Sequence, residues 1–70
     1  MKLKIEMLKK MMDEKHDGNY NAFARATGIN VALVYRLLNG QAQAGLKTIN
    51  LLIEYMKKND LKVEDYIFLL

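Results

Sequence analysis

The chain has 70 residues, and its 11 basic and 8 acidic residues give a formal net charge of +3. This length predicts one small domain over residues 1–70, and a hydrophobic fraction of 51% is enough for a single compact core. The sequence contains no cysteine, which excludes a disulfide framework and thiolate chemistry.

Apolar runs in the sequence are short, and the longest cover residues 31–35 and 66–70. Neither run can cross a bilayer, which takes about 20 apolar residues. The N-terminus has neither the apolar segment nor the cleavage site of a secretory signal. We therefore expect a soluble cytoplasmic protein with no membrane partner.

The apolar residues recur at helical spacing, and the sequence contains no proline. This pattern predicts an all-α fold, a compact domain of five helices over residues 3–15, 20–27, 31–38, 46–58 and 63–69. Gly18 is expected to end the first helix, because glycine readily adopts the left-handed conformation. Asn19 and Asn30 are expected to cap the second and third helices, since their side chains accept bonds from the first backbone N–H groups. The core-facing side of the fourth helix is expected to consist of Leu46, Ile49, Leu52, Ile53 and Met56.

The second and third predicted helices form a helix-turn-helix over about residues 20–39. Ala24 must be small where the next helix crosses, and Gly28 must adopt a conformation that costs other residues about 1–2 kcal/mol. The residues expected to face the core and set the angle between the helices are Phe23, Ile29, Val34 and Leu37. The other face of the third helix then points outward, and a helix fits the DNA major groove.

Residues 18–53 contain no aspartate or glutamate, although this window includes Arg25, Arg36 and Lys47. Carboxylates would repel a phosphate backbone, so a surface without them suits nucleic acid. The acid-free window coincides with the helix-turn-helix pattern. Together the two patterns predict double-stranded DNA as the partner.

The stretch from residue 20 to residue 40, YNAFARATGINVALVYRLLNG, resembles the helix-turn-helix of the Cro-like phage repressor family. The residues that carry this resemblance are Ala24, Gly28, Ile29, Val34, Leu37 and the Asn39-Gly40 pair. The resemblance covers residues 3–68 and implies a lambda-repressor-like fold. It also implies a sequence-specific transcriptional regulator, a repressor, that inserts helix 31–38 in the major groove.

The resemblance also implies which positions touch DNA. The expected base contacts are Val31, Ala32, Leu33 and Arg36. The expected phosphate contacts are Tyr20, Asn30, Asn39, Gln41, Gln43 and Lys47. Tyr35 lies beside Arg36 on the outer face, where its hydroxyl either bonds a phosphate or packs on the surface. Apolar residues can read the thymine methyl group, and arginine can bind guanine O6 and N7 together.

Residues 66–70 are too apolar for a free tail, and the fourth helix carries one further apolar residue on its less buried side. We expect a homodimer whose interface contains Leu51, Tyr66, Ile67, Leu69 and Leu70. Its two recognition helices would then enter grooves about 34 Å apart.

In an alternative function the fold is the same, but the partner is a protein instead of DNA. The chain would then be a protein-interaction module or an antitoxin-like partner that binds protein through its apolar recognition helix. An enzyme is not expected, because the sequence has no cysteine, one histidine and no phosphate-binding loop. His16 has no second histidine or cysteine beside which to bind a metal. We therefore expect no catalytic residues, no metal, no cofactor and no small-molecule substrate.

Overall fold

The computed structural model describes residues 2–68. Most of them are helical, and a short antiparallel sheet pairs Lys2 with Phe68 and Leu3 with Ile67. The elements in chain order are β1 (Lys2–Leu3), α1 (Ile5–His16), α2 (Tyr20–Thr27), α3 (Val31–Leu38), α4 (Leu46–Lys58), a 3-10 turn (Val63–Asp65) and β2 (Ile67–Phe68). The sheet therefore ties the two ends of the described chain together.

The prediction of a fifth helix over residues 63–69 is wrong within the described part of the chain. The N–H of Tyr66 bonds the carbonyl of Val63, which closes a single tight turn, and the chain then extends into β2. The β-branched Ile67 and the aromatic Phe68 fit a strand better than a short helix. The same pairing also explains why α1 begins at Ile5, since Leu3 is taken up by β1.

The predicted asparagine caps are confirmed. The side chain of Asn19 accepts a bond of 3.1 Å from the N–H of Ala22. The side chain of Asn30 accepts one of 2.8 Å from the N–H of Ala32. At the end of α1 the left-handed conformation begins one residue before the predicted glycine, at Asp17 with φ 53°, and continues through Gly18.

The core lies between α2 and the helices that pack around it, α1, α3 and α4. Its buried apolar residues are Leu8, Met11, Met12, Phe23, Ala24, Ile29, Val34, Leu37, Leu38, Ile49, Leu52, Tyr55, Met56 and Ile67. The predicted core face of α4 is wrong at Leu46, which is 72% exposed. Leu46 lies on the outward side of α4 with the exposed Asn50 and Glu54, whereas Ile49 in the same turn is buried. Tyr55, which the apolar spacing did not single out, is buried instead.

Three ring side chains connect α1, α2 and α4. The hydroxyl of Tyr55 lies 2.7 Å from Nε2 of His16. The ring of Phe23 meets both of these rings edge-on, with centroids 5.7 Å from each. Burial raises the pKa of the Tyr55 hydroxyl, and the neighbouring Tyr66 hydroxyl raises it further. The single histidine of the chain thus joins two helices at the edge of the core.

Candidate nucleic-acid interface

Gly28 makes the turn between α2 and α3. Its φ is +82°, and its N–H donates to the carbonyl of Ala24 at 2.8 Å. A Cβ at this position would lie 3.8 Å from a side-chain carbon of Leu51, which is an ordinary contact. The backbone conformation, and not lack of space, is therefore what requires glycine here.

Thr27 stabilises the same turn with its buried hydroxyl. That hydroxyl donates to the carbonyl of Phe23 at 3.0 Å and accepts from the N–H of Ile29 at 3.3 Å. A buried N–H without a partner would cost about 1–3 kcal/mol, so this bond favours the observed geometry of the turn. Sequence reasoning missed this role, although a threonine directly before a turn glycine is a usable signal for it.

The outer face of α3 is a strip of exposed residues at helical spacing. The strip consists of Ala32, Tyr35 and Arg36, followed by Asn39 at the end of the helix. The opposite face, formed by Val34, Leu37 and Leu38, is buried. Ala32 and Arg36 are one turn apart and therefore separated by about 6 Å along the helix axis. α3 thus presents one continuous face that a ligand can reach along its whole length.

Val31 and Leu33 flank this outer strip in the first turn of α3, but they are placed differently. Val31 is 38% exposed. Leu33 is half-buried and packs against the core. Of the four predicted base contacts, Val31, Ala32 and Arg36 are exposed at the surface, and the side chain of Leu33 is partly buried.

A cluster of three predicted phosphate contacts connects the start of α2 to the end of α3. The rings of Tyr20 and Tyr35 lie 5.3 Å apart between centroids. The side-chain amide of Asn39 donates to the carbonyl of Tyr35 at 2.8 Å and to the hydroxyl of Tyr20 at 3.5 Å. The relative position of the two tyrosines is therefore fixed by contacts within the motif.

The other predicted phosphate contacts are all exposed, and they are Asn30, Gln41, Gln43 and Lys47. The first turns of α2, α3 and α4 contain no acidic residue. The positive ends of these helix dipoles are therefore not opposed by a local carboxylate, which favours an anion nearby.

The charge of the sequence is divided between two parts. The three basic residues of the window 18–53 equal the net charge of +3. Outside that window, eight basic residues balance eight acidic ones. The positive excess of the chain therefore belongs to the segment that contains the helix-turn-helix.

Comparison with known families bears on the same segment. A family model described as a Cro/C1-type HTH DNA-binding domain matches residues 7–57. The chain belongs to this family. The match takes in α2 and α3 whole, together with most of α1 and α4. Neither a curated protein nor a solved structure matches the chain. Cro/C1-type domains bind DNA and are not enzymes.

In this Cro/C1-type domain the residues predicted for a dimer interface are placed unequally. Leu51 and Tyr66 are half-buried and pack against the core. The prediction is wrong for Ile67, which is 0% exposed, because its side chain is buried in the core and cannot contact a second protomer. Leu69 and Leu70 lie outside the described residues.

The surface of the Cro/C1-type domain includes two large apolar side chains that sequence reasoning did not place there, Leu46 and Phe68. Phe68 is 51% exposed, and the ammonium of Lys4 lies 4.9 Å from the centre of its ring. The same ammonium donates to the carbonyl of Glu64 at 2.8 Å. Because these contacts join opposite ends of the chain, local periodicity contains no signal for them.

Within residues 2–68, no three His, Cys, Asp or Glu side chains are grouped so that they could bind a metal ion. Over the same residues, no helix combines the length and the apolar character needed to span a membrane.

Proposed function

We propose that this Cro/C1-type domain binds double-stranded DNA sequence-specifically, with α3 in the major groove, and acts as a transcriptional repressor. The observation that supports this most directly is the exposed strip on α3, which lies inside a segment without any carboxylate. A protein that occupies the major groove of a promoter excludes other proteins from it, which is a sufficient mechanism for repression.

In this proposal the outer face of α3 contacts bases. Arg36 donates to O6 and N7 of guanine, a contact worth about 1–3 kcal/mol of discrimination. Val31 and Ala32 approach the base edges from the first turn, and Leu33 adds the part of its side chain that the core leaves uncovered. The residues proposed to contact phosphate are Tyr20, Asn30, Tyr35, Asn39, Gln41, Gln43 and Lys47. These contacts position the domain on the duplex without reading its sequence.

The first test is a fluorescence-anisotropy titration of a random duplex of about 30 base pairs, long enough for two half-sites. The affinity is measured between roughly 50 and 200 mM salt. Because Lys47 is the one charged residue proposed to contact phosphate, the slope of log K against log salt should be about −1 per protomer, and it would reach about −3 if Arg25 and Arg36 also neutralised phosphates. An absence of binding at low salt would contradict the proposal.

Two variants locate the interface. Lys47→Ala should weaken binding and make the slope shallower by about 1, because it removes a phosphate contact. Arg36→Ala should weaken binding by about 1–3 kcal/mol, because it removes a base contact. Lys10→Ala is the matched control, since Lys10 is an exposed lysine on α1, outside the acid-free window. If Lys10→Ala weakened binding as much as Arg36→Ala, the contacting surface would not be α3.

We also propose that the domain binds as a homodimer. The acid-free window supplies only three basic residues per protomer, and a two-fold pair doubles that number while placing the two α3 helices about 34 Å apart. Leu51 and Tyr66 remain the candidate interface residues. Sedimentation equilibrium tests this proposal, and a monomer at high micromolar concentration would contradict it.

A second candidate function is binding to a protein through the recognition helix. The observation that favours it is the exposure of apolar side chains on and near the motif, 38% for Val31, 50% for Tyr35 and 72% for Leu46. In this case the duplex titration would show no binding even at low salt, and Arg36→Ala would leave binding to the protein partner nearly unchanged. The duplex titration of the parent protein therefore separates the two candidates.

A further inference from the structure

The first turn of α3 offers base edges almost no hydrogen-bonding side chain. Val31 and Ala32 are exposed there, and neither carries a donor or an acceptor. The nearest polar side chain is Asn30, whose carbonyl oxygen already accepts the N–H of Ala32 at 2.8 Å. The polar residues that do face outward, Tyr35 and Arg36, come one turn later.

An apolar surface in the major groove has one favourable kind of target. Base edges there are donors and acceptors, except for the methyl group on C5 of thymine. Burying an unpaired donor or acceptor of a G·C pair beneath Val31 would be unfavourable, because the lost contact with water is not replaced. Burying a methyl group is favourable, because it removes apolar surface from water.

Resting on the proposed function, we infer that Val31 and Ala32 read pyrimidine 5-methyl groups, and that their source is thymine. Arg36 lies on the same face as Ala32, about 6 Å further along the helix. This distance corresponds to about two base-pair steps of 3.4 Å. The domain therefore selects thymines that lie within about two base pairs of a guanine.

The test compares two duplexes that differ only in the methyl group. One has repeats of d(TTG) paired with d(CAA), and in the other every thymine is replaced by uracil. All methyl groups in the first duplex lie on one strand, so the replacement removes every one of them. Binding should weaken about fourfold for each methyl group that α3 buries.

Variants assign this difference to α3. Val31→Ala should lower the ratio of the two affinities, because it removes the larger of the two apolar side chains at the front of the helix. Met7→Ala is the matched control, since Met7 has almost the same exposure as Val31, 39% against 38%, but lies on α1. Ala32→Ser is a second variant, and circular dichroism confirms that each protein is folded.

The outcomes separate this inference from the proposed function. Equal, salt-dependent binding to both duplexes would overturn the methyl reading while leaving DNA binding intact. A preference for thymine that persists in Val31→Ala and Ala32→Ser would also overturn it, since the shape of the duplex would then be the cause. No binding to either duplex would overturn the proposed function itself. A third duplex pairs the uracil strand with a strand containing 5-methylcytosine. Recovery of binding there would overturn thymine as the source, because a methyl group on cytosine would serve equally, and no recovery would support it.

Discussion

The helix-turn-helix was predicted correctly from the sequence, whereas the two chain ends were not. The bounds of α2 and α3 in the structure are those predicted from the sequence, residues 20–27 and 31–38. At the ends, a predicted helix is a 3-10 turn followed by a strand, and β1 was not predicted at all. The family match shows the same division, because residues 7–57 include the motif and exclude both strands.

The difference follows from the distance over which each region is determined. Asn19, Gly28 and Asn30 act within a few residues of their own position, so their roles can be seen in the local sequence. The sheet pairs Lys2 with Phe68, at opposite ends of the chain. No local pattern specifies that pairing, yet it places Ile67 fully inside the core. Both regions should therefore matter for stability, and substitutions can test this.

The largest effect is expected at the centre of the motif. Phe23→Ala should cost about 3–5 kcal/mol, because it empties a buried aromatic site next to His16 and Tyr55. A domain of this size has a total stability of only roughly 4–10 kcal/mol. The variant should therefore lose about half of the domain's stability, seen by circular dichroism as a large fall in melting temperature. Arg25→Ala, on the exposed side of the same helix, is the control and should remain folded.

The chain ends are tested by Ile67→Ala. Ile67 is 0% exposed, so we expect a loss of about 2–5 kcal/mol, measured as a lower midpoint of urea unfolding. Phe68→Ala is the neighbouring control, because Phe68 is half exposed and should cost much less. If Ile67→Ala were as stable as the parent protein, the strand pairing at the chain ends would contribute nothing measurable to stability.

A smaller effect is expected at the turn. Gly28→Ala should cost about 1–2 kcal/mol, because alanine is strained at φ +82° although its Cβ would meet no close atom. Gly28→Asn should cost less, since asparagine tolerates the left-handed conformation better than alanine. Equal losses for the two variants in thermal unfolding would indicate a steric cause instead of a backbone one.

The smallest effect is expected at the junction of α1 and α4. Tyr55→Phe removes the hydrogen bond to His16 and should cost about 1 kcal/mol, a shift of roughly 4–8 °C in melting temperature. Burial raises the pKa of the Tyr55 hydroxyl above its ordinary value. The folded state thus retains this proton more tightly than the unfolded state does. This contribution to stability is present below pH ~10 and is lost as the pH rises through the folded-state pKa.

Unfolding measured at alkaline pH tests whether stability falls as Tyr55 loses its proton. The parent protein should lose stability above pH ~10, and Tyr55→Phe should lose it less steeply, because the variant has no proton to release at this position. A steeper loss in the variant would contradict the assignment of the raised pKa to Tyr55.

Much of the candidate site could be predicted from the sequence, but its internal contacts could not. Helical spacing correctly divided α3 into a buried face with Val34 and Leu37 and an outer face with Tyr35 and Arg36. The hydrogen bonds of Thr27, and the packing of Tyr20 on Tyr35, depend on how two helices meet. Spacing along a single helix contains no information about that angle, and the same limit explains why Leu46 was assigned to the core.

The separation of charge has a consequence for the speed of binding. A molecule whose positive excess lies in one segment, with a balanced remainder, has an electric dipole moment as well as a net charge. In the field of a duplex such a molecule experiences a torque once it comes within about one Debye length, ~8 Å at physiological salt. The domain would then rotate until its helix-turn-helix faces the duplex before the two molecules touch, so fewer collisions would occur in unproductive orientations. The arrangement of charge thus favours a high association rate constant even though the acid-free window contains only three basic residues.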